Sequence, residues 1–230
     1  EMNRREDEAF NFRTTHDVSI SLKDPDSVDK KTRQHVQKII QNAENAMFSK
    51  NFKDPNYGYA AYIDVDSFVD WYIINEFNKN VDSAWFSSIY IVYDPKDGKI
   101  HLGPMWDYDL SFGNINYNDC DKTYGFYIRT RSVWYSQLFK DPAFKEKVKN
   151  RWNEKKSVLY KSIDEQIDIL YKNVLESSYY NFEVWPILGT FVWPNANGYE
   201  NRLSTKSEIN YLKKWCKDRF DWMDKQIQTW

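Results

Sequence analysis

Two short stretches organise this chain of 230 residues: NVD at positions 80–82 and GPMWDYDLSFGN at positions 103–114. The segment between them reads as a β-hairpin, because β-branched and aromatic residues flank the strong turn sequence DPKDG at positions 94–98. A hairpin returns the end of its second strand to the start of its first. We therefore expect Asp82 and Asp107 to lie at the same end of one hairpin.

We predict the two strands over residues 86–93 and 99–106, with Asp107 and Asp109 continuing the alternation of the second strand. Successive side chains of a strand point to opposite faces, so both carboxylates would share one face while the alternating apolar side chains enter the core. Two nearby carboxylates repel each other unless a cation or several donors offset the charge. Mg²⁺ on nucleotide phosphates suits such a pair, because it prefers hard oxygen ligands. The plainer alternative is that one aspartate caps a turn and the other is solvated.

Asp82 follows a predicted amphipathic helix that carries an apolar stripe over residues 65–77 and ends near residues 78–80, and Asp64 or Asp66 is expected to cap it. Glu76 lies on the face opposite the stripe and is expected to be solvated. In isolation, an aspartate at a helix end is most often a turn residue. The hairpin favours a second interpretation, because it would place Asp82, as a candidate base, next to the candidate metal site at Asp107. Phosphoryl transfer uses both groups, since the base orients the acceptor hydroxyl while the metal screens the phosphates.

Five segments of the chain resemble the CotH kinase-like family, which is named for spore-coat protein H. They are YIDVDSFVDWYIINEF at 62–77, NVD at 80–82, GPMWDYDLSFGN at 103–114, DPAF at 141–144 and the closing LKKWCKDRFDWMD at 212–224. The resemblance is clearest over residues 57–230, and its strongest part is the segment around Asp107.

This resemblance implies a kinase-like fold that transfers the γ-phosphate of ATP to Ser or Thr of a secreted or cell-surface protein, with Mg²⁺ or Mn²⁺ as the metal. By position, Asp82 corresponds to the catalytic-loop aspartate and Asp107 to the metal-binding aspartate, which Asp109 could assist. Ser87 stands five residues after Asp82, where the protein-kinase loop places a metal-binding asparagine. Ser87 is therefore expected to contribute to cofactor binding.

Two sequence features of kinases are missing from the chain. Before the predicted catalytic loop the single glycine is Gly58, so no glycine-rich phosphate loop is visible, and no lysine lies in a Val-Ala-Ile-Lys-like strand. Lys23 and Lys53 are the candidates for a phosphate-binding lysine. We expect the nucleotide-binding lobe upstream of Glu1, and residues 1–230 to form a single domain that corresponds to the C-terminal part of the fold.

The remaining periodicity predicts an α+β fold, a mostly helical body with a small β-hairpin that resembles the C-terminal lobe of an atypical protein kinase. Helices are expected to begin at Pro142, at Ser162 and at Thr205, where Glu208 would complete a capping box. Residues 114–132, rich in Asn, Asp, Gly and Tyr, are expected to form a long exposed loop.

The composition narrows the range of partners. The 32 basic and 34 acidic residues are interspersed, which argues against a nucleic-acid partner, and no apolar run is long enough to span a bilayer. Cys120 and Cys216 lie far apart and outside any C-x-x-C pattern, which argues against zinc binding and dithiol chemistry. A single disulfide and two free thiols both remain open.

Two other functions compete with phosphoryl transfer. Aromatic residues make up 18% of the chain, so the loops at 114–135 and 179–199 could carry recognition, of glycans for instance, in a surface binding or adhesion module without catalysis. Exposure or burial of Trp185 and Trp193 tests this alternative. A glycosidase with two acidic residues fits least, because two carboxylates on one strand face do not flank a bond.

Overall fold

The computed structural model describes residues 1–4, 10–25, 27–84 and 86–230. Helices dominate these described residues, and two antiparallel sheets of two strands each lie among them. The predicted α+β class, a mostly helical body with a small hairpin, is confirmed. The strands are β1 (Asn11–Arg13), β2 (Ser19–Ser21), β3 (Ile91–Asp94) and β4 (Lys99–Leu102). The helices are α1 (Lys30–Phe48), α2 (Val65–Asn78), α3 (Ile128–Arg131), α4 (Val133–Leu138), α5 (Pro142–Val184) and α6 (Thr205–Gln228), with 3₁₀ turns at Tyr59–Ala61 and Tyr199–Asn201.

The chain divides into two compact units, and each unit is built from several separate segments. The first unit comprises Glu1–Glu76, Asp82–Asp107 and Phe126–Val148. The second unit comprises Phe77–Val81, Tyr108–Gly125 and Lys149–Trp230.

An aromatic cluster forms the core of the first unit around the buried side of α2. The rings of Phe68 and Tyr72 lie 6.3 and 5.3 Å from the ring of Tyr135. The ring of Phe139 lies 4.7 Å from that of Tyr72 and 5.3 Å from that of Phe144. Tilted and edge-on ring pairs of this kind add stabilisation beyond the burial of apolar area. Phe68 and Tyr72 are both fully buried, as the apolar stripe of this helix predicts.

The start of α2 is fixed by Asp64, one of the two predicted caps. Its Oδ2 atom accepts a hydrogen bond from the backbone N–H of Ser67 at 2.8 Å, which satisfies one of the free donors at the helix N-terminus. Asp66 instead forms an ion pair with Lys147 at 3.0 Å on the surface. The choice between the two residues, which the sequence left open, therefore falls on Asp64.

A buried carboxylate anchors the connection between β1 and β2 in the first unit. Glu44 of α1 is fully buried and accepts hydrogen bonds from Thr14 Oγ1 at 2.7 Å, His16 N at 3.0 Å and Trp134 Nε1 at 2.9 Å. Burial raises the pKa of the Glu44 carboxyl, but the hydrogen bonds from Trp134, Thr14 and His16 outweigh it, so that this pKa lies below its ordinary value. The ionised Glu44 side chain therefore connects α1, the segment between β1 and β2, and α4.

The second unit packs α6 against the C-terminal part of α5. The ring of Phe220 lies 5.6 Å from that of Trp152 and 4.8 Å from that of Tyr160. Asp224 accepts hydrogen bonds from Trp152 Nε1 at 2.9 Å and from Lys156 Nζ at 2.7 Å. The helix pair therefore combines aromatic packing with a hydrogen-bonded ion pair at its edge.

Two buried cations hold the irregular segment 119–125 of the second unit. Lys79 Nζ donates to three carbonyl oxygens of this segment at 2.7–2.9 Å. The fully buried Arg219 donates to the carbonyl of Phe77 at 3.2 Å and to two further carbonyls of the segment at 2.9 and 3.1 Å. These contacts satisfy backbone oxygens that no helix or strand pairs, which burial would otherwise make costly.

Because the backbone is satisfied in this way, residues 114–132 do not form the long exposed loop that the composition predicted. Ile115, Cys120 and Ile128 are fully buried, and the last part of the segment folds into α3. Cys120 and Cys216 are both buried free thiols, and burial raises the pKa of Cys216 to about 12. Of the two alternatives for the cysteines, the structure has the two free thiols.

The start of α5 is as predicted, but its extent is not. Pro142 occupies the first helical position, and Asp141 Oδ1 accepts from the backbone N–H of Ala143 at 2.9 Å. The helix then runs without interruption through Ser162, where a second helix was predicted. No glycine or proline follows Pro142 within α5, so the sequence contains no strong helix breaker there.

The capping box of α6 lies one residue earlier than predicted. Ser204 is the cap, its hydroxyl accepting from the N–H of Ser207, and the Ser207 side chain bonds back to the cap backbone. Glu208, the predicted partner of Thr205, instead accepts from Arg202 Nε at 2.9 Å. The Ser207 hydroxyl therefore completes the capping box, a role that was predicted for Glu208.

We predict that Glu44→Gln lowers the free energy of unfolding by about 2–4 kcal/mol at pH 7. The neutral amide has one acceptor oxygen in place of two charged ones, so it cannot accept all the hydrogen bonds that the carboxylate accepts. Since the pKa of Glu44 is lowered by folding, its contribution is complete above its ordinary value of 4.5 and is lost as the pH falls below it. Urea unfolding at pH 7 and pH 3.5 measures both effects, and the difference between wild type and variant should shrink at the lower pH.

Glu146→Gln is the matched control, because Glu146 is exposed on α5 of the same unit. It should leave stability unchanged at both pH values. Equal stability of Glu44→Gln and wild type at pH 7 would contradict the anchoring role of this carboxylate.

Candidate functional site

The hairpin formed by β3 and β4 is shorter than predicted. Its antiparallel register pairs Ile91 with Leu102 and Asp94 with Lys99, and one further hydrogen bond runs from Gly103 N to Tyr90 O at 3.0 Å. The turn at 94–98 is as predicted, closed by a hydrogen bond from Gly98 N to Asp94 O at 2.9 Å. The hairpin is a part of the first unit.

The strand ends before Asp107, contrary to prediction. Gly103 has a φ of +130°, and Pro104 lacks the N–H that would continue the ladder. Trp106 is 58% exposed rather than in the core, and Asp107 has a φ of +62°. The predicted strand alternation that would place Asp107 and Asp109 on one sheet face is therefore wrong.

Asp82 lies in a turn that leads into the hairpin. Its backbone carbonyl accepts from Phe86 N at 3.0 Å and from Ser87 N at 3.4 Å. The residue that follows Asp82 is fixed to α2, because Ser83 Oγ donates to Asn75 Oδ1 at 2.6 Å. The side chain of Asp82 is half-buried, so a carboxylate at this position is held on a fixed backbone and remains reachable.

The side chain of Asp107 is hydrogen-bonded to the start of the hairpin by Ser88, a residue for which the sequence predicted no role. Ser88 Oγ donates to Asp107 Oδ2 at 3.1 Å, and Ser88 N donates to Glu1 Oε1 at 2.9 Å. Ser88 adopts a φ of +61°, in the left-handed region. The hydrogen bond places the Asp107 carboxylate at the residue that follows the Asp82–Ser87 turn.

Ser87, the residue predicted to bind the cofactor, is buried to 7% exposure and caps the Asp82 carbonyl through its N–H. It is the neighbouring Ser88 whose hydroxyl reaches Asp107. The sequence position favoured Ser87, and nothing local to the two adjacent serines indicated that Ser88 would adopt the left-handed φ of +61° and contact Asp107. The role of Ser87 stays a prediction.

Asp109 belongs to the second unit. Its Oδ1 accepts from Leu110 N at 2.9 Å, and its carbonyl accepts from Asn114 Nδ2 at 3.0 Å. The exposed side chain lines a cavity of about 320 Å³ that also includes Arg202 and Tyr211. Its predicted assistance to Asp107 stays a prediction from the sequence.

The two lysines considered for phosphate binding have different surroundings in the first unit. Lys23 Nζ forms an ion pair with Glu1 Oε2 at 3.1 Å, and Glu1 also accepts from Ser88. Lys53 is exposed and lies over the ring of Phe52 at 5.3 Å. The contacts therefore favour Lys23.

Glu76, expected from its position on α2 to be solvated, is fully buried. Its two carboxylate oxygens accept from Tyr127 N at 2.6 Å and from Arg129 N at 3.1 Å. It thereby fixes the chain at the start of α3. No local sequence signal indicates this contact, because the partners lie about fifty residues further along the chain.

A further set of possible metal ligands lies at the tip of the hairpin, among the residues that the structure describes. One ligand atom from each of Asp94, Asp97 and His101 lies within 4.8 Å of the others. Both aspartates also accept backbone N–H groups of the turn, and Asp97 Oδ2 lies 2.8 Å from His101 Nε2. The hydrogen bond from Lys99 N and the interaction with His101 lower the pKa of Asp97. These contacts give the three side chains a structural role in the turn.

Comparison with known protein families supplies the assignment. The family model described as CotH kinase protein matches residues 2–223, nearly the whole chain. The chain belongs to the CotH kinase family. Comparison with curated proteins finds no significant match.

Membership in the CotH kinase family supports a kinase-like assignment at the level of the family. The match begins at residue 2, so it includes the segment around Lys23 that precedes the clearest part of the sequence resemblance. Among the described helices, none is long and apolar enough to cross a membrane.

We predict that Glu76→Gln lowers the free energy of unfolding by about 1–3 kcal/mol, because the amide group presents a donor where the carboxylate accepted a backbone N–H. Native-state hydrogen exchange should show faster exchange of the Tyr127 and Arg129 amides. Glu146→Gln is again the control and should leave both amides protected. Unchanged protection in Glu76→Gln would show that the carboxylate does not hold this segment.

Proposed function

We propose that this CotH-family chain is a phosphotransferase that uses Mg²⁺ or Mn²⁺ to transfer the γ-phosphate of ATP to a Ser or Thr hydroxyl of a protein. The observation that carries the proposal is the hydrogen bond from Ser88 Oγ to Asp107 Oδ2, which holds the candidate metal ligand at the start of the hairpin that follows Asp82. Family membership supports the reaction class.

Asp82 acts as the base in this proposal. Its half-buried carboxylate accepts the proton of the acceptor hydroxyl while the hydroxyl oxygen forms a bond to the γ-phosphorus. The bond between that phosphorus and the bridging oxygen of ADP breaks, and ADP leaves with the electron pair. The proton on Asp82 is then released to solvent. The turn hydrogen bonds from Phe86 and Ser87 keep the backbone of Asp82 fixed during this step.

Asp107 is the proposed metal ligand, and its donor atoms fit the metal. Carboxylate and hydroxyl oxygens are the hard ligands that Mg²⁺ prefers, and the Asp107 side chain is exposed to an incoming ion. When bound, the metal neutralises charge on the transferred phosphate. Ser88 orients Asp107 through one carboxylate oxygen. Ser87 and Asp109 are proposed as additional ligands on sequence grounds.

The acceptor is proposed to be a secreted or cell-surface protein, as the family resemblance implies. The reaction is tested first with a general acceptor protein.

A binding or adhesion function is the second candidate, and a specific observation favours it. Trp185 and Trp193 of the second unit are 60% and 64% exposed rather than buried in a core. Trp193 lies parallel to Tyr117 within 11°, at 6.3 Å between ring centroids. Exposed rings of this kind can stack on a sugar face. Glycan-array binding that Trp185→Ala and Trp193→Ala abolish, and Tyr57→Ala retains, would favour this candidate.

For the phosphotransferase, we predict that Asp82→Asn lowers the rate of phosphate transfer by about 10²–10⁴, the usual loss for a general base. Asp107→Asn should abolish the dependence of the rate on Mn²⁺ concentration, because it removes a charged ligand. The measurement is incorporation of label from γ-labelled ATP into dephosphorylated casein and into the chain itself.

Asp66→Asn is the matched control, since Asp66 is an exposed carboxylate of the same unit. It should transfer phosphate at the wild-type rate. A wild-type rate in Asp82→Asn would refute the assignment of the base.

A further inference from the structure

The end of α5 and the segment that follows it, both in the second unit, concentrate exposed apolar side chains. Each of the following is at least 41% exposed: Tyr179, Tyr180, Val184, Trp185, Ile187, Phe191, Val192, Trp193 and Leu203. Single exposed apolar groups are ordinary on a protein surface, but a concentration of them marks a binding surface. This concentration indicates a ligand for the segment 185–203.

Hydrogen bonds fix the backbone of the segment 185–203. Arg202 is 8% exposed, and its guanidinium group donates to Asn197 O at 3.2 Å and to Ala196 O at 3.0 Å. A turn forms where Val192 N donates to Asn195 Oδ1 at 2.7 Å and Asn195 N donates to Val192 O at 2.8 Å. A ligand therefore meets a preformed surface, so that ordering of the segment subtracts little from the binding free energy.

A cavity of about 290 Å³ opens in this part of the second unit. The rings of Trp193 and Tyr199 line it, together with polar side chains that include Asn114, Asn195 and Glu208. The volume lies at the lower end of the range for small-molecule sites, and a few polar groups among apolar walls are typical of such sites. Among the described residues that line the cavity, Glu208 is the only charged one.

The three polar side chains each keep one group for a ligand. Glu208 Oε2 accepts from Arg202 Nε at 2.9 Å, so Oε1 remains as an acceptor. Asn195 Oδ1 accepts from a backbone N–H at 2.7 Å, so Nδ2 remains as a donor. Asn114 Nδ2 donates to a backbone carbonyl at 3.0 Å, so Oδ1 remains as an acceptor. The cavity thus offers both acceptors and a donor.

Trp193 offers an aromatic face at the same cavity. Its side chain is 64% exposed, and its ring lies parallel to that of Tyr117 within 11°, with 6.3 Å between the ring centroids. The contact with Tyr117 orients the indole before any ligand binds.

The charge and the hydrogen-bonding groups of the cavity select the class of ligand. An anionic ligand would face the Glu208 carboxylate, and no cation among the described lining residues offsets that repulsion. A purely apolar ligand would leave the polar side chains without hydrogen bonds as it displaced water. A neutral saccharide has hydroxyl groups that donate and accept, and its ring has a face of C–H groups that packs on an aromatic ring.

We infer that this cavity binds a neutral saccharide, with Trp193 stacked on a sugar ring. Glu208 and Asn114 accept hydrogen bonds from its hydroxyl groups, and Asn195 donates one. The inference does not rest on phosphate transfer, since none of these residues takes part in the proposed reaction. It also goes beyond the adhesion candidate, which named exposed tryptophans but no cavity and no polar partners for a sugar.

The test is calorimetric titration of cellohexaose, mannohexaose and chitohexaose into the full chain, with at least one of the three expected to bind. Trp193→Ala should weaken that binding by about tenfold, because the aromatic contact is lost, and Trp193→Phe should restore part of it. Glu208→Gln should weaken binding by about tenfold to a hundredfold, the value of a charged hydrogen bond.

Asn195→Asp is a second polar variant that keeps the turn. The new carboxylate retains the oxygen that accepts from Val192 N and replaces the Nδ2 donor by an acceptor, so it should weaken saccharide binding while stability stays at the wild-type level. Circular dichroism and thermal unfolding of each variant separate lost binding from lost folding. Asn195→Asp supplies the comparison if Glu208→Gln is unstable.

Two matched controls come from the second unit. Tyr180→Ala removes an exposed ring of α5, and Glu200→Gln removes an exposed carboxylate next to the cavity residue Tyr199. Both positions lie outside the cavity lining. Both variants should bind the saccharide like wild type.

Three results would overturn the inference. The first is the absence of binding by all three oligosaccharides. The second is binding that Trp185→Ala abolishes while Trp193→Ala and Glu208→Gln retain it, which would place recognition on the exposed ring of Trp185. The third is binding of decaproline, but of no saccharide, that Trp193→Ala abolishes, which would show a peptide groove. The titration contains neither nucleotide nor metal, so its result is independent of the phosphate-transfer assay.

Discussion

The candidate site depends on two hydrogen bonds made by one residue, Ser88. Its N–H donates to Glu1 and its hydroxyl donates to Asp107, so it joins the edge of β2 to the returning end of the hairpin. A left-handed backbone conformation costs a non-glycine residue roughly 1–2 kcal/mol, which two hydrogen bonds to carboxylates can offset. The φ of +61° is what allows the N–H and the hydroxyl of Ser88 to reach different partners.

In each unit, buried charged side chains form hydrogen bonds with backbone groups that have no partner in a regular helix or strand. In the first unit, Glu44 and Glu76 accept hydrogen bonds from irregular backbone segments. In the second unit, Lys79 and Arg219 donate to carbonyls of the segment 119–125. A chain with short strands leaves many backbone groups unpaired, and ionised side chains satisfy several of them at once. These hydrogen bonds fix the connection between β1 and β2, the start of α3 and the segment 119–125.

The features that the sequence predicts correctly are local ones. The cap at Asp64, the apolar stripe of α2, the turn at 94–98 and the Asp141–Pro142 start of α5 each follow from residues within a few positions of one another. The failures involve distant partners or a change of backbone region. The burial of Glu76 requires residues about fifty positions away, and the loss of strand structure before Asp107 follows from Gly103 and Pro104. The pairing of Lys23 with Glu1, and of Ser88 rather than Ser87 with Asp107, could be recognised only in the folded chain.

We propose that a divalent metal ion binds this CotH-family chain at Asp107, at the base of the hairpin. The most direct measurement is paramagnetic broadening of backbone amide resonances by Mn²⁺ in the presence of ADP. Broadening is expected to be strongest around Ser88 and Asp107 and to disappear in Asp107→Asn. Broadening centred on Asp94, Asp97 and His101 at the hairpin tip, and unchanged in Asp107→Asn, would contradict it.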